Sequence, residues 1–249
     1  MNASYTKAIV LDIEGATTSI RFVYDGLFPF VRENVGRFLD QNWDDPQVQS
    51  DVDLIRAQAQ SDLAGGAVDA PQVPSGAQAT ADDVSRNVHW QMDQDRKTTG
   101  LKSLQGKIWK DGYASGELKG HVYADVPEAL HRWNDLGISV YIYSSGSVAA
   151  QKLLFGNSEA GDLMPLLSGY FDTTTGPKKE AGSYTAIAAS IGAEPSRLVF
   201  ITDNLDEAIA ADAAGLRAFV SLRPGNHPVD EHSFPEISSF GELDKLIAS

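Results

Sequence analysis

Apolar and polar positions follow two rhythms along this chain. Ala8, Ile9, Val10 and Leu11 form a short unbroken apolar run that ends on Asp12, the pattern of a strand buried on both faces with a functional side chain at its carboxyl end. From Phe28 the rhythm becomes helical. Val48, Val52, Ile55 and Ala59 recur at three- and four-residue steps, as do Val84, Val88 and Met92, and then Leu101, Leu104 and Ile108. Between these amphipathic segments, residues 64–82 are rich in Ala, Gly, Pro, Ser and Gln without apolar periodicity, which predicts a surface loop. After His121, strands and helices alternate. A helix over 126–136 stops at Gly137 and feeds a strand over 138–143; helices over 147–155 and 183–191 end at Gly156 and Gly192; a strand over 198–202 closes on Asp203; a helix over 206–214 and a strand over 217–222 follow.

Alternation of this kind predicts an α/β fold, a Rossmann-like doubly wound parallel sheet whose ligand site lies at the carboxyl ends of the strands. Asp12, Ser144 and Asp203 all fall at such ends. The all-helical stretch interrupts the alternation after the first strand. This predicts a core domain made of residues 1–19 and 121–249, with residues 20–120 as an inserted helical cap domain.

Composition narrows the chemistry. A 249-residue chain with 42% hydrophobic content can bury a full core, which argues against global disorder. A net charge of −14 argues against nucleic-acid or anionic-membrane partners, since both recruit Lys and Arg. With no cysteine there is no disulfide, thiolate nucleophile or thiolate metal site to consider. The apolar run near the N-terminus is too short for a signal peptide or membrane span, so a soluble, unprocessed chain is expected. Nothing in the sequence requires a partner chain, and a cytoplasmic monomer is expected.

Asp12-Ile13-Glu14-Gly15 places two carboxylates two residues apart just past a strand, in a loop that Gly15 lets turn tightly. One carboxylate can attack phosphorus while the second protonates the leaving oxygen and later activates water. Alone, the motif is as well explained by an acidic turn. Ser144 and Ser145 precede Gly146 and a helix, so hydroxyls and backbone N–H groups can meet a phosphate there, or simply cap the helix. Lys178 and Lys179 bring positive charge after Gly176-Pro177, where an ammonium can hold a phosphoryl oxygen, although a lone lysine pair is usually solvated surface. Asp203, followed by Asp206 and Glu207, would complete an oxygen-only set suited to Mg²⁺, and taken alone is equally an ordinary helix start.

The order Asp-x-Glu, Ser, Lys, Asp, each at or near a strand end, resembles the four-motif pattern of the haloacid dehalogenase superfamily, and the long gap before Ser144 resembles members with a cap inserted after the first strand. The resemblance narrows to the acireductone synthases, the enolase-phosphatases of methionine salvage. Asp12-Ile13-Glu14-Gly15 with Thr17-Thr18, Phe22-Val23 and Leu27-Phe28-Pro29 looks like their opening. The run from Trp90 through Asp95-Arg96-Lys97-Thr98-Thr99 to Trp109 is similar to their cap, and Tyr141 to Ser147, Ala150 to Gly156 and Arg223-Pro224-Gly225-Asn226 also fit.

That resemblance implies an enzyme that enolises 2,3-diketo-5-methylthiopentyl 1-phosphate and then removes the phosphate, with Mg²⁺ as cofactor. It places Asp12 at the nucleophile and metal position, Glu14 at the acid/base and metal position, Asp203 at the remaining metal position, and Ser144, Ser145 and Lys178 at substrate-binding positions. The base for enolisation stays open between Glu14 and a cap residue. Another Mg²⁺-dependent phosphatase or phosphomutase of the superfamily would keep the four motifs without needing the cap match, and a catalytically dead phosphate-binding protein is motivated only by one departure. The family usually has Thr four residues after the nucleophile, where Ala16 stands here. Loss of one such hydroxyl would cost about 0.5 to 1.5 kcal/mol, unless Thr17 replaces it.

Of the five histidines only His227 and His232 lie near each other, too little for a zinc site. Trp90 and Trp109 are expected to pack cap helices together, and Asp95, Arg96 and Lys97 to reach toward substrate or end a solvated helix.

Overall fold

A computed structural model describes residues 6–247. Residues 1–5 and 248–249, the ends of the expected core domain, lie outside the described residues. The chain forms two compact units, one within Met1–Tyr24 and Lys119–Ser249, the other over Asp25–Leu118.

The first unit opens with β1 (Ala8–Leu11), after which the chain leaves for the second unit and its helices α1 (Phe28–Asn42), α2 (Pro46–Ala64), α3 (Ala81–Asp93) and α4 (Thr99–Ser115). Their starts are written locally. Asp45 caps α2 ahead of Pro46, and Thr80 with Asp83 forms a reciprocal capping box on α3. Val31, Val35, Leu39, Val52, Ile55, Val84, Val88, Leu101, Leu104 and Ile108 make this unit's core. The segment between α2 and α3 is less superficial than its composition suggests: Ala70 and Val73 are buried, and Asn87 donates to the Pro71 carbonyl at 2.6 Å. Trp90 donates to Asp69 and Trp109 to the Leu27 carbonyl. Arg96 pairs with Asp62 and lies over the Trp90 ring, and Lys97 pairs with Asp95, so these charges have partners inside the unit.

Back in the first unit follow α5 (Asp125–Asp135), β2 (Ser139–Tyr143), α6 (Val148–Gly156), β3 (Gly169–Phe171), α7 (Ala181–Ile191), β4 (Leu198–Thr202), α8 (Leu205–Ala213), β5 (Arg217–Ser221), β6 (Glu236–Ile237) and α9 (Phe240–Ile247). The strands pair in the order β3-β2-β1-β4-β5-β6, every pairing parallel. Gly156 is the last residue of α6 and Asn157 its cap, a small departure from the expected glycine stop.

Side chains on the strands alternate between two buried layers. Ile9, Leu11, Val140, Ile142, Val199 and Ile201 pack with Trp133 and Phe240 on one face; Ala8, Val10, Leu198 and Phe200 pack with Tyr184 and Ile187 on the other. Full burial of each of Ile9, Val10 and Leu11 contributes about 1.5 to 3 kcal/mol, so the strand that delivers Asp12 is anchored from both sides. Leu11 is level with Ile142 on β2 and Ile201 on β4. The reversal of strand order lies between β1 and β4, where the carboxyl ends of a doubly wound sheet leave a crevice for ligands. Among the described residues no helix is long and apolar enough to cross a membrane.

Candidate active site

Because β1, β2 and β4 are in register, Asp12, Ser144 and Thr202-Asp203 emerge together at that crevice. The Asp12 carboxylate is 3% exposed and fully engaged. Its Oδ1 accepts the Ile13 N–H at 2.8 Å, and its Oδ2 accepts the Thr202 hydroxyl at 3.0 Å and the Lys178 ammonium at 2.7 Å. Lys178 Nζ also meets Glu207 Oε2 at 2.7 Å, so one buried cation bridges two carboxylates. Thr202 Oγ1 lies 2.9 Å from Glu207 Oε2 as well, closing a ring of four side chains. Charges this deeply enclosed are tolerated only when paired and hydrogen-bonded.

The lysine is held by its backbone. The hydroxyls of Tyr143, Ser183 and Tyr184 donate to the carbonyls of Gly176, Pro177 and Lys178 at 2.8, 2.7 and 2.6 Å. Lys179, the other member of the expected pair, is exposed and bound to Asp206.

Glu14 sits in the turn after β1. Enclosure by the protein and the Asp12 charge push its carboxyl above the usual range, against the lowering effect of Lys178. Ser144 Oγ lies 3.5 Å from Glu14 Oε2, and it accepts the Gly146 N–H at 3.1 Å. Ser145 is exposed beside it. Of the two readings of this helix start, capping is seen at two positions: Val148 N–H goes to Asp172 and Ala150 N–H to Ser147. The loop after Phe171 has supplied the anion that a helix start attracts.

Asp203 faces the same turn. A Cβ built on Gly15 would fall 2.2 Å from Asp203 Oδ2, and Gly15 has φ +69°, so glycine is required twice over. Burial, then repulsion by Asp12 and Glu14, raises the Asp203 carboxyl to about 7, with Lys178 pulling the other way. Among the described residues no three His, Asp or Glu side chains form a ready-made metal cage. The donor set nevertheless fits Mg²⁺: it offers only oxygen, its carboxylates repel one another, and this ion takes few protein carboxylates, filling its octahedron with water and phosphate.

Thr17 does not replace the missing hydroxyl at Ala16. Its Oγ1 donates to the backbone carbonyls of Asp12 and Ile13 at 3.1 Å and leaves the Asp12 carboxylate to Thr202. Thr202 and the hydroxyls behind Lys178 carry no spacing signal in the sequence. Glu207 is read there as one of the acidic residues that follow Asp203 in the oxygen-only set, and in the structure it is the second partner of Lys178.

Glu207 gives a measurable pH dependence. Burial, then the Asp12 charge, raises its carboxyl to about 7 from an ordinary 4.5. Between these values the folded protein holds a proton that the unfolded chain has released, so stability falls as pH rises through the window. Asp203 acts in the same direction. With a chelator present, the urea midpoint is expected to drop between pH 5 and pH 8, and to drop less in Glu207→Gln; equal slopes in the two proteins would refute the assignment.

A haloacid dehalogenase-like hydrolase family profile matches residues 6–215. Enolase-phosphatase E1 of Synechococcus elongatus is 50% identical over 235 residues, covering 94% of this chain and 96% of that protein. A probable bifunctional methylthioribulose-1-phosphate dehydratase/enolase-phosphatase E1 of Populus trichocarpa is 50% identical over 242 residues, where this chain spans 47% of the longer protein. Among solved structures, the UTR4 protein of Saccharomyces cerevisiae superposes with a TM-score of 0.76 at 33% identity, over 94% of this chain and 98% of that one. Shared identity of this extent, running end to end along the Synechococcus protein, places the chain in the enolase-phosphatase E1 family of the haloacid dehalogenase-like hydrolases.

Proposed function

We propose that this chain is a cytoplasmic, monomeric enolase-phosphatase of methionine salvage, which enolises 2,3-diketo-5-methylthiopentyl 1-phosphate and hydrolyses the product to 1,2-dihydroxy-3-keto-5-methylthiopentene. The observation that carries this reading is the 50% identity to an enolase-phosphatase E1 across 96% of its length. In the hydrolytic half, a carboxylate oxygen of Asp12 attacks phosphorus and the bond to the leaving oxygen breaks, giving an aspartyl-phosphate. Glu14, held above the usual carboxyl range, carries the proton that the leaving oxygen takes. Glu14 then accepts a proton from the water that cleaves the aspartyl-phosphate. Lys178, Ser144 and Ser145 hold the phosphoryl oxygens.

Asp12, Glu14 and Asp203 would hold Mg²⁺, which supplies positive charge to the phosphoryl oxygens and to the developing enolate. The base that takes the carbon proton is Glu14 or a residue of the helical insertion. Residues 20–120 are proposed as the cap domain, a role supported by their place between the first strand and the rest of the core. A lid of that kind excludes bulk water during transfer.

The test is an ultraviolet time course with the diketone phosphate and Mg²⁺, run beside a phosphate-release assay. Enol absorbance followed by phosphate, both lost on chelation, is expected. Phosphate from generic esters without action on the diketone would reduce the reading to a phosphatase of the same superfamily.

A further inference from the structure

The turn that carries Asp12 and Glu14 closes largely on itself. The Ile13 carbonyl accepts the N–H groups of Ala16, Thr17 and Thr18 at 3.3, 3.0 and 2.9 Å, and Gly15 N–H donates to the Thr18 carbonyl at 2.8 Å. Two carbonyls of the turn are instead gripped from the segment after β5. Asn226 Nδ2 donates to the carbonyls of Gly15 and Ser221, both at 2.9 Å, and Arg223 Nε donates to the Ala16 carbonyl at 3.2 Å.

Arg223 is itself held through Nε and Nη1 and through both ring faces, while its buried Nη2 has no hydrogen-bond partner among the described residues. Its Nη1 donates to Asp125 Oδ2 at 3.0 Å and to the Ser238 carbonyl at 2.9 Å. Its guanidinium carbon lies 4.8 Å from the centroid of the Tyr123 ring and 4.6 Å from that of Phe240, and the residue is only 7% exposed. Asp125 is tied down in turn by the Phe240 N–H at 2.7 Å. A planar cation with rings over its faces and acceptors at its edge is a rigid strut, a part that lysine cannot play.

We propose that Arg223 and Asn226 are positioning residues for phosphoryl transfer: by gripping the Gly15 and Ala16 carbonyls they set the turn that aims Glu14 and keep Gly15 against the Asp203 carboxylate. The Gly15 contact leaves no slack, since even a Cβ there overlaps Asp203. Displacements of about 1 Å in reacting groups cost on the order of a hundredfold in rate. The inference rests on the reading of Asp12 and Glu14 as the reacting carboxylates.

Two variants test it. Asn226→Asp keeps size but turns an acceptor toward the Gly15 carbonyl, and Arg223→Lys keeps charge but loses the fork. Each is expected to lower kcat for phosphate release about 10- to 100-fold, with KM close to wild type and with the loss of kcat persisting well below the variant's own thermal midpoint, which the lost buried hydrogen bonds lower. A folded Asn226→Asp protein with wild-type kcat would overturn the inference, as would a loss of kcat that vanishes when the assay is run well below the variant's midpoint. If Arg223→Lys does not fold, Asn226→Asp decides alone. The assays use both the diketone phosphate and an aryl phosphate ester. A wild type that hydrolyses only the aryl ester defeats the substrate reading while the positioning roles are scored on that ester; a wild type active on the diketone with variants equal to it defeats the positioning roles alone.

Discussion

Asp12→Asn is expected to abolish phosphate release, lowering kcat by at least about a thousandfold, while leaving a folded protein. The amide keeps the shape of the carboxylate but is too weak a nucleophile to form the aspartyl-phosphate. Survival of the fold follows from the electrostatics. The Asp12 charge is among the causes that push up the carboxyls of Glu14, Asp203 and Glu207. Its removal relieves all three, and Lys178 keeps Glu207 as a partner at 2.7 Å. The metal-free variant should therefore show less loss of stability between pH 5 and pH 8 than wild type, by the same linkage that governs Glu207. Phosphate release and the enol absorbance are followed together. Release within tenfold of wild type from a protein of verified sequence would remove Asp12 from the nucleophile's place.

How much of this was legible beforehand depends on the length over which a signal is spread. The parallel core was readable because β1 and β4 are apolar runs that close on Asp12 and Asp203, and β2 and β5 are mostly apolar segments that follow Gly137 and Gly215. β3 and β6 have three and two residues, too few for any period to register, and their places in the sheet come from neighbours that supply the hydrogen bonds. α9 went unread although its apolar positions Phe240 and Leu243 are fully buried, because it is a single short terminal segment whose partner, Trp133 on α5, is remote in sequence.

At the site, Asp12, Ser144 and Asp203 could be placed from strand ends alone. The partnership of Lys178 with Glu207 could not, since it joins the loop before α7 to the first turn of α8 and no spacing rule connects them. The same holds for Arg223 and Asn226, which act on a turn about two hundred residues earlier in the chain. Ala16 illustrates the converse: a departure visible in the sequence whose consequence was not. The carboxylate takes its hydroxyl from Thr202, on the neighbouring strand, at a register position fixed by Leu11 opposite Ile201.

Lys178→Met is expected to have the second large effect, and unlike Asp12→Asn it should damage activity and stability together. Methionine matches the stem of lysine but removes the ammonium that lies 2.7 Å from both Asp12 and Glu207. Two enclosed carboxylates then share a single Thr202 hydroxyl, which has one proton to give. Removing one partner of a buried ion pair costs about 3 to 5 kcal/mol, because the charge left behind keeps its desolvation penalty. The protein can soften that penalty only by protonating, so the deficit in the urea-unfolding free energy should be largest at pH 8 and shrink toward pH 5, where Glu207 is already protonated in the wild type. Activity does not recover with acid, since the phosphoryl oxygens have lost their fixed cation. Loss of one such charge-stabilising donor is worth about a hundred- to a thousandfold in kcat. Lys178→Arg should restore little of this, because the Gly176–Lys178 backbone is pinned by three hydroxyls and cannot retreat to seat a longer, forked head between two oxygens. A Lys178→Met protein with wild-type stability at pH 8 would show that the two carboxylates do not depend on this ammonium; one that kept kcat within tenfold would show that transfer does not either.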